Sequence, residues 1–225
     1  MTHVAHPYSQ RLGIIRDWKN RWFVRDRARF REYLKTDTLL REWLKKRLKG
    51  MYVADIEMER DANALKVIIK TSRPGMLIGR SGEGVIRLNK DVQKKLVSMK
   101  LSEIPQVKID IEEVRNPEAN AQIVAEMVAE SLEKRMPFRR VLKQTIDKVM
   151  ANREVQGVRI ALAGRIGGAE MSRSEEIKKG RVPLQTLRAN IEFARTEAYL
   201  PYTGLVGIKV WIYKGDVFEG EENNA

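Results

Sequence analysis

The most regular stretch of the chain is Phe138, Val141, Leu142, Thr145, Ile146, Val149 and Met150, spaced i, i+3, i+4, i+7, i+8, i+11 and i+12. That spacing lines one stripe of a helix and leaves Arg139, Arg140, Lys143 and Lys148 facing outward. The pattern predicts an amphipathic helix to about residue 152, preceded by another over 117–135, with Pro137 between them. Over 28–49, Phe30, Tyr33, Leu34, Leu40, Trp43, Leu44 and Leu48 follow helical spacing, Arg41, Lys45 and Lys49 form a basic ridge, and Gly50 ends the helix. Alternation then predicts strands at 52–60 and 64–70, joined by a short turn at Asp61, Ala62 and Asn63. Gly79, Arg80, Ser81 and Gly82 open into a helix with Val85, Leu88, Val92 and Leu96 on one side and Arg87, Lys90 and Lys94 on the other. Residues 106–114 alternate again.

At Arg115, Asn116 and Pro117 the pattern changes to helices, and Pro117 suits a helix start, so a domain boundary is placed there. After the helix pair, Val158, Ile160 and Leu162 alternate, a Gly-rich turn spans 164–168, and two long β-like stretches lie around 183–196 and 204–214. The expected architecture is α+β, with helix, strand, strand, glycine loop, helix and strand first, then two helices packed on a small antiparallel sheet. A length of 225 residues is about one and a half times a usual domain of roughly 150, which suits two compact domains.

Composition adds a partner. The net charge is +13, and residues 1–50 hold 14 basic and 5 acidic side chains, whereas 51–115 and 116–225 are each close to +2. Clustered cations neutralise several phosphates at once and release counterions, so the surplus points to a polyanion. A solvated helix face is the competing reading of any one charge run. The absence of cysteine removes disulfides, thiolate nucleophiles and Cys-based zinc sites. No leader-like apolar core and no run of about 18 apolar residues is present, so a soluble, cytoplasmic chain with no membrane contact is expected.

Three constellations carry candidate chemistry. Arg11, Arg16, Lys19 and Arg21 interleave with Trp18, Trp22 and Phe23, which suits phosphate contacts beside base stacking or protein packing. Gly79, Arg80, Ser81 and Gly82 form a GXXG loop, in which backbone can approach nucleic acid; an ordinary turn into a helix is the alternative. Gly79 to Gly84 is followed by Val85 and Ile86 and not by Lys and Ser or Thr, so it is no Walker loop. Arg139, Arg140 and Lys143 crowd like charges at a cost of about 0.2–0.5 kcal/mol per i, i+4 pair, which makes sense if phosphates pass there. Enzyme chemistry gains little: His3 and His6 are the only histidines, Glu57 with Glu59 and Glu112 with Glu113 read as solvated carboxylates, and Ser172 and Ser174 lack a base. No metal, cofactor or catalytic residue is expected.

These motifs and their surroundings resemble one family along nearly the whole chain, bacterial-type small-subunit ribosomal protein number three. The matching blocks are RLGIIRDWKNRWF from Arg11, RPGMLIGRSGEGV from Arg73, VRNPE from Val114, MPFRRVLKQ from Met136, GRIGGAEMSRSE from Gly164, GRVPLQTLRANI from Gly180 and TGLVGIKVWIYKG from Thr203. The resemblance implies a type II KH domain (α-β-β-α-α-β) over 28–115 and a C-terminal α+β domain over 116–218; the charge distribution adds a basic extension over 1–27 and an acidic tail over 219–225. It implies residence in the head of the small subunit, on rRNA and beside neighbouring head and entrance-channel proteins. Gly79, Arg80, Ser81 and Gly82 match the KH loop. Arg139, Arg140 and Lys143 match the basic trio that the family directs at incoming mRNA and uses in unwinding it. Arg165, Arg173, Arg181 and Arg188 lie in blocks implied to meet RNA or protein. Ser81 stands where the family often has a second basic residue, and GEENNA replaces a common basic tail. A free KH-type regulator and a DNA-repair lyase or nuclease are the alternatives.

Overall fold

The computed structural model describes residues 5–61, 64–99, 105–201 and 203–218. In chain order the elements are α1 (Pro7–Arg11), β1 (Asn20–Arg21), α2 (Arg27–Arg47), β2 (Val53–Arg60), β3 (Ala64–Thr71), α3 (Pro74–Ile78), α4 (Glu83–Ser98), β4 (Gln106–Glu113), α5 (Ala121–Glu133), α6 (Phe138–Met150), β5 (Gly157–Gly164), β6 (Arg173–Gly180), β7 (Ala189–Leu200) and β8 (Gly204–Asp216). Single 3-10 turns occur at Arg80–Gly82, Pro117–Ala119 and Ile166–Gly168. Two compact units result: Trp18–Arg115, and Met1–Asp17 together with Asn116–Ala225. The expected extension over 1–27 is therefore divided between them. The acidic tail over 219–225, His3, Ala62 and Asn63 lie outside the described residues.

In the unit Trp18–Arg115 the strands run β1-β2-β3-β4, with β1 parallel to β2, β2 antiparallel to β3 and β3 parallel to β4. The helix–strand–strand–helix–helix–strand order is the expected one. Asp26 caps α2 by accepting the Ala28 amide, a standard start for a helix whose first amides lack partners. Leu40, Leu44 and Leu48 of α2 share one core with Leu88, Val92 and Leu96 of α4 and with Ile56, Met58, Leu65, Val67, Ile69, Val107 and Ile109 of the sheet. One charged group sits in that apolar stripe. Asp37, with 0% exposure, accepts both Arg60 Nε (3.0 Å) and Nη2 (2.6 Å) as well as Trp22 Nε1 (2.9 Å).

In the other unit the sheet order is β6-β5-β8-β7, antiparallel throughout. Helices α5 and α6 bury Val124, Val128, Leu132, Val141, Leu142, Ile146 and Val149 in one core with Val158, Ile160, Leu162, Ile208, Val210 and Ile212 of the sheet. Asn120 caps α5 through the Gln122 and Ile123 amides, and buried Glu192 accepts the Ala121 amide at 2.9 Å and Lys214 Nζ at 2.8 Å. Strand β6 is absent from the expected pattern because RSEEIKKG has almost no apolar alternation. It is an exposed edge, where charged side chains discourage pairing with other chains. The β-like stretch expected from 183 begins as a strand only at Ala189.

Candidate nucleic-acid interface

The GXXG loop is made by the meeting of α3 and α4. Gly79 ends α3 at φ 69°, Ser81 stands at φ 54° and ψ 22°, and Gly82 at φ 78° leads into α4. Gly84 allows the two helices to come this close: a Cβ there would lie 2.2 Å from the Leu77 carbonyl oxygen. No side chain caps α4; the Glu83 amide at its start donates to the Arg80 carbonyl, and the amides after it have no side-chain cap. Arg80 is exposed and makes no ion pair among the described residues, while Arg87 is held by Glu83 at 2.8 Å. Met76, Ile78 and Ile86 are exposed near the loop, so apolar surface accompanies the amides. This combination can accept phosphate oxygens and cover bases.

The N-terminal candidates separate sharply. Arg11, expected to face RNA, is only 1% exposed. Its guanidinium donates to the carbonyls of Pro7 (3.0 Å), Leu184 (3.0 Å), Thr186 (2.7 Å) and Ala189 (2.7 Å). Burial, and then neighbouring Arg16, pull its pKa below the ordinary arginine value. Arg11 is thus a structural anchor that ties α1 to the start of β7, and it has no room for a phosphate. Trp22 is likewise a packing residue, edge-on to Tyr33 and tilted on Phe30, with its ring nitrogen on Asp37. Arg16 reaches Asn190 (3.2 Å) and Glu192 (3.6 Å), Lys19 pairs with Asp55 at 2.8 Å, and Arg21 pairs with Glu57 at 2.6 Å. Trp18 remains 61% exposed.

On the basic ridge of α2, half-buried Arg41 donates to the Asn20 side chain. The Lys45 pKa is lowered, first by burial and then by Lys19 and Arg41. The carboxylates Glu57, Glu59 and Glu112, read from sequence as solvated, are engaged. Lys70 lies 2.7 Å from Glu57 and 3.8 Å from Glu112, and Lys66 lies 3.6 Å from Glu59 and 3.4 Å from Asp110. Sequence reasoning missed the Asp37–Arg60 pair, although an Asp at a stripe position of an amphipathic helix is a signal that a buried partner is needed.

In the C-terminal unit the trio lies on the outer face of α6. Arg139 is 72% exposed and 3.8 Å from Glu175; Arg140 and Lys143 are exposed and have no ion pair among the described residues. Arg173 joins them, its guanidinium carbon 5.6 Å from the centre of the Phe138 ring, as is that of Arg139. Arg165 braces its own turn through the Ala169 carbonyl at 2.9 Å, Arg188 pairs with Asp216 at 3.0 Å, and Arg181 is exposed at the start of the 181–188 connection. Among the described residues no group of three or more His, Asp or Glu could hold a metal. His6 accepts the Tyr8 amide on Nδ1 and starts α1. No helix of the described residues is long and apolar enough to cross a membrane.

Comparison with known proteins agrees with this geometry. A KH domain family model matches residues 39–119, over α2 to β4, and a model described as ribosomal protein S3, C-terminal domain, matches 128–212. Proteins named small ribosomal subunit protein uS3 align over nearly the whole chain. That of Caldicellulosiruptor saccharolyticus is 43% identical over 96% of this chain and 94% of its own. That of Xanthomonas euvesicatoria is 44% identical over 97% and 86%, and that of Alkalilimnicola ehrlichii 41% over 100% and 95%. With a KH unit and an S3 C-terminal unit in the same order and with this identity end to end, the chain belongs to the small ribosomal subunit protein uS3 family.

Proposed function

We propose that this protein is a structural constituent of the small ribosomal subunit that binds rRNA in the subunit head and handles mRNA at the entrance channel. It works by charge and shape, without a reaction centre. The GXXG loop and the basic face of α4 hold rRNA through backbone amides, Arg80, Lys90 and Lys94. Arg139, Arg140 and Lys143 take the phosphates of incoming mRNA and keep one strand as translocation separates a hairpin. Arg16, Lys19, Arg21, Trp18, Arg165, Arg173, Arg181 and Arg188 are secondary contacts to rRNA or to neighbouring head and entrance-channel proteins.

One observation carries the mRNA reading. Among the described residues Arg140 and Lys143 have no counter-charge on the outer face of a helix whose other face is core, while most cations on the sheets have a carboxylate within 4 Å. Uncompensated like charges are unfavourable alone and become favourable when phosphates arrive. The test is the triple variant Arg139→Ala, Arg140→Ala, Lys143→Ala in purified small subunits. Incorporation equal to wild type with slower translation through a stable mRNA hairpin is expected; unchanged passage through the hairpin sinks the assignment.

A further inference from the structure

Helix α2 is longer than its core requires. It runs Arg27–Arg47, yet its share of the apolar core begins at Leu40 and no residue of 27–35 is buried. These overhanging turns carry Arg27, Arg31 and Lys35 at i, i+4 and i+8, and Arg25 stands two residues ahead of the helix. All four cations are exposed, and none has an ion pair among the described residues. Asp26 accepts the Ala28 amide at 3.1 Å, and half-buried Glu32 lines the groove against α4; neither comes within 4 Å of a cation of the row. Like charges one turn apart weaken a helix, and cations in a first turn oppose its dipole. The row therefore opposes the helix that displays it, and arriving phosphates reverse the sign of that effect. Phe30 and Leu34 flank the row at 47% and 48% exposure, and Phe23 is 91% exposed. Their support is rigid: the Phe30 ring lies 5.3 Å from that of Trp22, whose nitrogen is held by buried Asp37 at 2.9 Å.

We infer that the overhanging start of α2 is an RNA-binding site separate from the GXXG loop, one that holds a looped or single-stranded segment by its phosphates. The inference rests on the rRNA reading above for the identity of that RNA. Successive cations on the row stand one helical turn apart, with Cβ atoms about 5–6 Å from each other, which suits a polymer charged at every repeat unit. Three of the four are arginines, whose planar fork meets phosphate oxygens in pairs. The exposed rings and Leu34 give cover to the unstacked bases of the same strand, as in other single-strand sites. A protein docking through its own apolar side chains would need a continuous apolar face, which the row of cations interrupts.

The test is photocrosslinking in purified small subunits that carry the full chain with p-benzoylphenylalanine in place of Phe23. A nuclease-sensitive adduct with rRNA is expected. Introducing Arg27→Gln, Arg31→Gln and Lys35→Gln together keeps helix propensity but removes the charge, and should lower that adduct roughly fivefold or more. The same probe at exposed Ile86, near the GXXG loop, should give an adduct that these changes leave alone. Arg31→Gln by itself, expected to lower the Phe23 adduct about twofold, serves where the triple variant is not incorporated. A protein adduct at Phe23, no adduct there, or an rRNA adduct indifferent to the charge variants overturns the site. If the Ile86 probe still captures rRNA in that case, the rRNA reading survives alone. If neither probe captures RNA, both fall.

Discussion

Replacing Arg139, Arg140 and Lys143 by alanine should change the salt dependence of RNA binding by an amount that the geometry fixes in advance. Each phosphate neutralised on a single strand contributes about 0.7 to the slope of log K against log salt. Three free cations would give about 2, but Arg139 already shares its charge with Glu175 at 3.8 Å and counts for a fraction. A slope reduction of about 1.5–2 follows, which at about 0.1 M salt amounts to roughly 30- to 100-fold in affinity if the extrapolated value at 1 M is unchanged. The assay is fluorescence anisotropy of a labelled single-stranded RNA titrated with the full chain from about 0.05 to 0.3 M KCl. Glu175→Gln, which frees Arg139, should steepen the slope. Arg188→Ala, whose cation is held by Asp216 at 3.0 Å, should leave it nearly unchanged. A trio variant with the wild-type slope, or an Arg188 variant that loses as much as the trio, would show that unpaired cations on α6 are not the phosphate contacts.

Three further outcomes test the fold that presents these sites. Asp37→Asn leaves buried Arg60 without its carboxylate and should cost about 3–5 kcal/mol in urea unfolding; a loss under about 1 kcal/mol would mean that the pair is solvated. In the second test, Gly84→Ala puts a Cβ 2.2 Å from the Leu77 carbonyl oxygen, so α3 must move off α4. About 1–3 kcal/mol of stability and the RNA affinity of the GXXG loop should be lost together, and a variant with wild-type melting and binding contradicts the close approach. The third concerns pH. The Lys66 pKa is raised above 10.5, first by its hydrogen bond to Asp110 and then by Glu59; for Lys70 burial acts downward but the hydrogen bond and charge of Glu57 outweigh it. The folded chain therefore holds these protons more tightly than the unfolded one. The stabilisation is complete below pH 10.5 and disappears as pH rises through the folded values. Melting temperature should fall in that range for wild type and fall less for Lys66→Met with Lys70→Met.

What the sequence made legible was whatever depends on near neighbours. Helix α6 was readable because its stripe is uninterrupted over thirteen residues; α2, α4, β2, β3 and β4 were readable because their apolar positions keep a period, whereas β1 is two residues long and carries none. The GXXG loop and the basic trio were readable because each is contiguous along the chain. Strand β6 was not, since this edge strand carries one apolar side chain, half-buried Ile177, and a single position makes no alternation. The division of the first 27 residues was hidden because it depends on Arg11 finding carbonyls more than 170 positions away. Asp37 left a trace, a carboxylate in an apolar stripe, and its partner Arg60 shares a face of β2 with buried Ile56 and Met58, so alternation turns it inward without saying which carboxylate it meets.

The same distinction decides how the +13 charge acts. Counting cations by region puts most of the surplus in the first fifty residues and predicts the strongest phosphate contacts there. Pairing reverses part of that ranking. Arg11 is unavailable, because its buried guanidinium would give up hydrogen bonds to four carbonyls if it swung out. Lys19 and Arg21 are exchangeable: their partners are partly exposed, and such pairs are worth only about 0–1 kcal/mol, so an incoming phosphate can replace a carboxylate at little cost. Arg80, Arg140 and Lys143 give up nothing at all. An RNA strand that meets this surface should therefore engage the unpaired cations first and recruit the exchangeable ones only when a second contact holds it nearby, so that local pairing, more than regional charge density, sets the order in which the faces bind.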